Sequence, residues 1–128
     1  MGNVSEKNMP LKLDLGKTGF NIVLKPYQIE AMKYLWTVPE KGGSSRDVYD
    51  AVNIALGDGK SISRASIINS LNALVDDGVL GYHEITGKGG YRRIYKPNFD
   101  ESGFRKFIAE VTVKKLLEEF PEETKTIL

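Results

Sequence analysis

SRASIINSLNALVDDGVL, residues 63–80, leads within a few residues into ITGKGGYRRIYKP, residues 85–97, and these two stretches decide the fold. The first reads as a single capped helix. Ser63 is placed to accept from the backbone N–H of Ser66, and Ile62 before the cap can meet Ile67 as a hydrophobic staple. At the far end Gly78 follows Asp77 where a left-handed residue closes a helix, and Val79 beyond it is placed to pack back on Leu74.

Between these limits Ile67, Leu71, Leu74 and Val75 share one helical face that should be buried, with Ile68 at its border. The opposite face carries Ala65, Ser66, Asn69, Asn72 and Ala73. Solvated helix faces ordinarily carry Lys and Glu, whereas this one is short, uncharged and rich in amide and hydroxyl groups. Such chemistry suits close approach to base edges in a major groove; the bland alternative is a small surface helix that lacks charge.

After the helix, Val79 to Ile85 is β-prone, Gly87, Lys88, Gly89 and Gly90 supply a flexible reversal, and Tyr91 to Tyr95 forms a second strand. The spacing predicts a two-stranded wing with a mobile tip. From residue 60 to 96, Lys60, Arg64, Lys88, Arg92, Arg93 and Lys96 stand against Asp76, Asp77 and Glu84, a surplus of three in a chain whose net charge is only +1. Basic charge is concentrated on one module, as an electrostatic footprint for phosphate requires.

Upstream, Pro26 suits the first turn of a helix running to about Trp36, with Ile29, Met32, Leu35 and Trp36 on its apolar side. Ser44 and Asp47 have the spacing of a capping box, opening a second helix that buries Val48, Ala51, Val52 and Ala55 and closes at Gly57. The order is helix, helix, short loop, helix, hairpin. The expected fold is mainly α with a small β-wing, a winged helix-turn-helix domain over residues 24–97. Residues 98–128 should form a C-terminal helical dimerisation segment, and residues 1–23 an arm. In that arm Leu11, Leu13 and Leu15 alternate with Lys12 and Asp14 before Phe20 to Leu24, which fits either a short hairpin or a frayed end.

The stretches LKPYQIEAMKYLW, SSRDVYDAV and SRASIINSLNALVDDGVL, with the wing ending in YRRIYKP, resemble the penicillinase-repressor (BlaI/MecI) family of winged-helix transcriptional regulators. The likeness covers roughly residues 24–97 and continues more loosely to Phe120. It rests on the first-helix pattern with Trp36, the Val48-Tyr49 pair and the Tyr95-x-Pro97 exit from the wing. The run from Gly89 to Arg93 also resembles the wing of PadR proteins, and the order of elements is similar to that of MarR-like proteins. The resemblance implies a homodimeric repressor whose third helix enters the major groove while its wing contacts the backbone. Residues 98–128 are short for the several helices that family carries there, Pro121 interrupts them, and the loop from Gly57 to Lys60 is longer than its usual turn. The family's proteolytic inactivation is therefore not expected here.

The residues expected to lie nearest the bases are Ser63, Arg64, Ala65, Ser66, Asn69 and Asn72, with the two asparagines set for bidentate contact to adenine. Lys88, Arg92 and Arg93 are expected at phosphate or in the minor groove. Tyr91, Arg93 and Tyr95 alternate with Arg92, Ile94 and Lys96, which leaves open the strand face that turns inward. Along the C-terminal helix, expected from about Glu101 to Phe120, the apolar residues occupy two sides. Phe104, Phe107, Ile108 and Val111 lie on one, and Val113, Leu116, Leu117 and Phe120 on the other. Burying both calls for a partner, so the expected dimer interface is Phe104, Phe107, Ile108, Val111, Leu116, Leu117 and Phe120. The expected partners are thus double-stranded DNA with a palindromic operator and a second copy of the chain.

Composition excludes several other classes. With 128 residues, 41% of them apolar and 27% charged, the chain suits one modest soluble domain. The absence of cysteine leaves no disulfide and no thiolate metal site, which fits a cytoplasmic location. The first twenty residues lack the apolar core of a signal peptide, and Glu6 stands where a myristoylation signal needs Ser or Thr. Gly16-Lys17-Thr18 lacks the upstream glycine of a phosphate loop, because position 12 is Lys. His83 is the single histidine, sits in a predicted strand and has no ligand set around it, so neither catalysis, a metal nor a cofactor is expected. The competing function is a winged helix that binds protein in place of DNA, which a near-neutral net charge would suit.

Overall fold

Local chemistry sets where each helix starts and stops in the computed structural model, which describes residues 11–87 and 89–128. Helix α1, Pro26–Thr37, opens on proline, and the Gln28 side chain accepts from the Lys25 N–H at 2.8 Å. Helix α2, Ser45–Leu56, opens on the expected reciprocal box: Ser44 Oγ accepts from the Asp47 N–H at 3.1 Å, and the Asp47 carboxylate from the Ser44 N–H at 3.0 Å. Helix α3, Arg64–Asp76, begins at Ser63, whose Oγ accepts from the Ser66 N–H at 3.1 Å. At its end the Gly78 N–H bonds the Val75 carbonyl at 3.0 Å and the Val79 N–H bonds the Leu74 carbonyl at 2.9 Å. This is the Schellman arrangement, and Gly78 takes the φ of 84° that it needs.

The sheet is larger than the expected wing. Strands β2, Leu80–Gly87, and β3, Gly90–Pro97, pair antiparallel from Leu80↔Pro97 to Gly87↔Gly90. A third strand, β1, Gly43–Ser44, adds to the other edge of β3 through Gly43↔Tyr95 and Ser44↔Ile94. The expected two-stranded wing is formed by β2 and β3, and β1 widens the sheet to three strands in the order β1-β3-β2. The cause is the pair of adjacent glycines: a Cβ on Gly42 would sit 2.6 Å from the Tyr95 carbonyl oxygen, and one on Gly43 2.9 Å from the Tyr34 ring. Backbone can approach β3 there only without side chains.

Met32 and Leu35 of α1, Val48 and Val52 of α2, and Ile67, Leu71 and Leu74 of α3 are buried together with Val79, Leu80 and Tyr95. Each fully buried aliphatic side chain stabilises the fold by roughly 1.5–3 kcal/mol. Gln28 Nε2 donates to the buried Ser70 Oγ at 2.8 Å, tying α1 to α3. Three expected core positions differ. Ala55, in the last turn of α2, is exposed, and Ala51 and Val75 are half-buried, because Val48 and Val52 already fill the inner face of α2 and Leu71 and Leu74 that of α3.

Residues 1–10 of the expected arm lie outside the described residues. The hairpin alternative for the rest is not formed. The Asp14 carboxylate accepts from the Gly16 N–H at 3.0 Å and turns the chain, and a 3-10 helix follows at Gly19–Ile22. Leu13 and Leu15 stay exposed, so their alternation has no face to bury, while Phe20 meets Trp36 at a ring separation of 5.6 Å and anchors the segment on α1.

The chain divides after Asn98 into two compact units. In the second, helix α4, Glu101–Glu119, is capped by Asp100, which accepts from the Gly103 N–H at 2.7 Å. The rings of Phe99 and Phe107 stack at 4.8 Å. A further helix, α5, Pro121–Ile127, was not anticipated; Pro121 begins it, and the buried Thr124 donates to the Leu116 carbonyl at 3.1 Å.

Candidate nucleic-acid interface

The approach to α3 is held from two directions. Asn53, inside α2, donates through Nδ2 to the Ile62 carbonyl at 3.2 Å and accepts from the Ile62 N–H at 2.8 Å. These two bonds fix the loop residue immediately before the Ser63 cap, so the start of α3 is pinned to the helix it must follow. Sequence reasoning passed over Asn53, whose amide in mid-helix gave no sign of its distant partner. The other hold is Gln28 on Ser70.

Among the expected base-reading residues, Ser63, Arg64, Ala65 and Asn69 are exposed, whereas Ser66 and Asn72 are half-buried. The Ser63 and Ser66 hydroxyls bond one another at 3.0 Å, so both belong first to the helix cap. Arg64 and Asn69 have no side-chain partner among the described residues. Asn72 has two: its Oδ1 accepts from Arg93 Nη1 at 3.0 Å and from Tyr95 Oη at 2.6 Å.

That network settles which face of β3 turns toward α3. Tyr82, Glu84 and Thr86 of β2 stand opposite Tyr95, Arg93 and Tyr91 of β3. The Arg93 guanidinium carbon lies 3.9 Å from the centre of the Tyr82 ring, a cation–π contact that completes its hold. Arg93, expected at phosphate or in the minor groove, is thus engaged with Asn72 and Tyr82 within the protein. Arg92, one residue along the strand, projects to the other face and is exposed with no ion pair among the described residues. Lys88, at the expected wing tip, lies outside the described residues. Tyr95 is pushed up in pKa by burial, against the opposing pull of the Arg93 charge and hydrogen bond, so its phenol stays protonated at neutral pH and donates.

The expected dimer residues separate by exposure. Phe104 is fully buried in the single chain. Phe107, Ile108, Val111 and Leu117 are half-buried, while Leu116 and Phe120 are 37% and 59% exposed. Among the described residues no group of His, Asp and Glu side chains could hold a metal ion, and no helix is long and apolar enough to cross a membrane.

No protein-family model matches the chain, and no curated protein matches it. Among solved structures, a protein from Methanosarcina mazei Go1 described as a "possible transcriptional regulator" shares the fold, with a TM-score of 0.58 and 17% sequence identity. The similarity covers 80% of this chain and 78% of that one. It is a likeness of fold alone, and the narrower penicillinase-repressor family is not matched.

Proposed function

We propose that the chain is a non-enzymatic transcriptional regulator that binds double-stranded DNA sequence-specifically. In this reading it is a homodimeric repressor, laying α3 in the major groove of a palindromic operator and setting the wing against the backbone or minor groove. The exposed side of α3 carries the reading: Ala65 and Asn69 share a strip that offers a methyl and an amide, with the exposed Arg64 beside it in the first turn and no carboxylate before Asp76, in a winged helix-turn-helix. Arg64 and Asn69 supply base contacts, Arg92 and Lys88 meet phosphate, and Arg93 positions the wing. The fold shared with a protein described as a regulator supports the same reading.

The dimer forms through the exposed apolar side of α4, around Leu116, Leu117 and Phe120. Reading an inverted repeat calls for two copies of α3 about 34–36 Å apart, one turn of DNA. Selection from a randomised duplex library, followed by gel shift at several salt concentrations, tests the proposal. An inverted repeat should be enriched and bound at least about a thousandfold more tightly than random duplex. Equal affinity for selected and random DNA would favour instead a winged helix that binds protein.

A further inference from the structure

The amide of Asn72 has an orientation that chemistry dictates. Arg93 carries donors only, so the atom 3.0 Å from its Nη1 is the amide oxygen, and Tyr95 Oη donates to that same oxygen at 2.6 Å. Both acceptor sites of Asn72 are filled from within the protein. Its Nδ2 keeps two N–H groups with no partner among the described residues. No buried side-chain nitrogen or oxygen among those residues lacks a partner, so this Nδ2 is reached by solvent. Asn72 follows Ala65 by seven positions and Asn69 by three, which places it on the same strip of α3.

We infer that Asn72 reads DNA as a donor only, so that the base edge it meets must present an acceptor: a purine N7, guanine O6 or thymine O4. This rests on the DNA-binding reading above. Bidentate pairing with adenine needs an oxygen to accept from N6 as well as a nitrogen to donate to N7, and in Asn72 the oxygen is already taken. The expected adenine contact therefore passes to Asn69 alone, whose amide keeps both functions. Arg93 and Tyr95 act as positioning residues: they aim the donor without touching a base.

Asn72→Asp separates the two roles. A carboxylate still accepts from Arg93 and Tyr95, now with charge assistance, but it cannot donate to a base. The experiment is library selection with wild type, Asn72→Asp and Asn69→Ala, with a thermal melt of each. The expected result is an unchanged or raised melting midpoint for Asn72→Asp, with binding to the wild-type site weakened at least about tenfold. Preference should move at one position, away from its original base and toward one offering an amino donor. Asn69→Ala should relax a different, adenine position.

Three outcomes overturn the assignment. A lowered midpoint for Asn72→Asp would mean that Nδ2 makes an internal bond. An unchanged midpoint with unchanged base preference would mean that Asn72 reads nothing. Dependence of the Asn72 position on the 6-amino group of adenine, tested by substituting purine for adenine, would restore bidentate contact. If the wild type selects no sequence at all, the DNA reading itself fails and takes this assignment with it; if Asn69→Ala shifts preference and Asn72→Asp does not, only this assignment fails.

Discussion

Arg93 and Asn72 join the wing to α3: the guanidinium donates to the amide oxygen at 3.0 Å while its carbon rests 3.9 Å from the centre of the Tyr82 ring. Arg93→Ala removes a charge-assisted hydrogen bond and a cation–π contact together, and should cost about 1–3 kcal/mol in urea unfolding. Arg93→Lys should recover little, because a point ammonium cannot both stack on Tyr82 and reach Asn72 with planar geometry. A loss below about 0.5 kcal/mol for Arg93→Ala, the range of an ordinary surface substitution, would show the contact to be idle.

Arg92 should behave in the opposite way. It projects from the other face of β3 and is exposed, so Arg92→Ala is expected to leave the unfolding midpoint in place. If it meets phosphate, the slope of log K against log salt should fall by about 0.9. Arg93→Ala should leave that slope nearly unchanged. Gel-shift titrations of both variants across a salt series check the pair, and a slope that moves only for Arg93→Ala would exchange their roles.

The helix ends were legible in the sequence because capping is local: Ser63, the Ser44 and Asp47 pair, and Gly78 all act on groups a few residues away. The buried face of α3 was legible for the same reason, its period being that of the helix. Strand β1 was not, since two residues have no periodicity and their cause is tertiary, the room available beside Tyr95 and Tyr34. The inward face of β3 could not be chosen from alternation either. It depends on a register that puts Arg93 opposite Glu84 and beside Asn72, three groups from three elements. Helix α4 showed two apolar sides in the sequence, but not that Phe104 lies wholly inside the single chain.

Gly42 combines a φ of 75° with a Cβ position 2.6 Å from the Tyr95 carbonyl oxygen. Gly59 has a similar φ of 77° and open space around it. Gly59→Ala should therefore cost only the conformational penalty, about 1–2 kcal/mol. Gly42→Ala adds a clash with backbone that cannot turn aside, and should cost clearly more while detaching β1. Thermal melts of the two variants side by side test the comparison, and equal losses would show that β1 yields freely.

Asp77 closes α3, where the negative end of the helix disfavours a carboxylate. Its pKa is raised above the ordinary 3.8 mainly by burial, with the Asp76 charge adding to the rise and a hydrogen bond from the Leu11 backbone opposing it. The folded state then holds this proton to higher pH than the unfolded chain does. Stability from this group accordingly falls as pH climbs from 3.8 through the raised value, and the ionised form remains a cost above it. Asp77→Asn keeps an acceptor for Leu11 and removes the charge. It should be more stable than wild type at pH 7, with the advantage disappearing below pH 3.8. Denaturant unfolding at both pH values reads this directly, and an advantage that persists in acid would assign the gain to something other than ionisation.

Leu116 and Phe120 stay 37% and 59% exposed near the end of α4, although Thr124 folds α5 back onto the Leu116 carbonyl. Burying a leucine or phenylalanine side chain stabilises by roughly 1.5–3 kcal/mol, so two copies that shared these residues across a two-fold axis would count each contribution twice. Phe104 has no part in that sum, being buried already. Sedimentation equilibrium at micromolar concentration should find a dimer for the wild type and a monomer for Leu116→Ser with Phe120→Ser, both retaining the same helical circular dichroism. The paired variant should also lose its preference for an inverted repeat over a single half-site, because only a dimer holds two copies of α3 in register with the groove. A monomeric wild type, or a variant that stays dimeric, would remove this side of α4 from the interface.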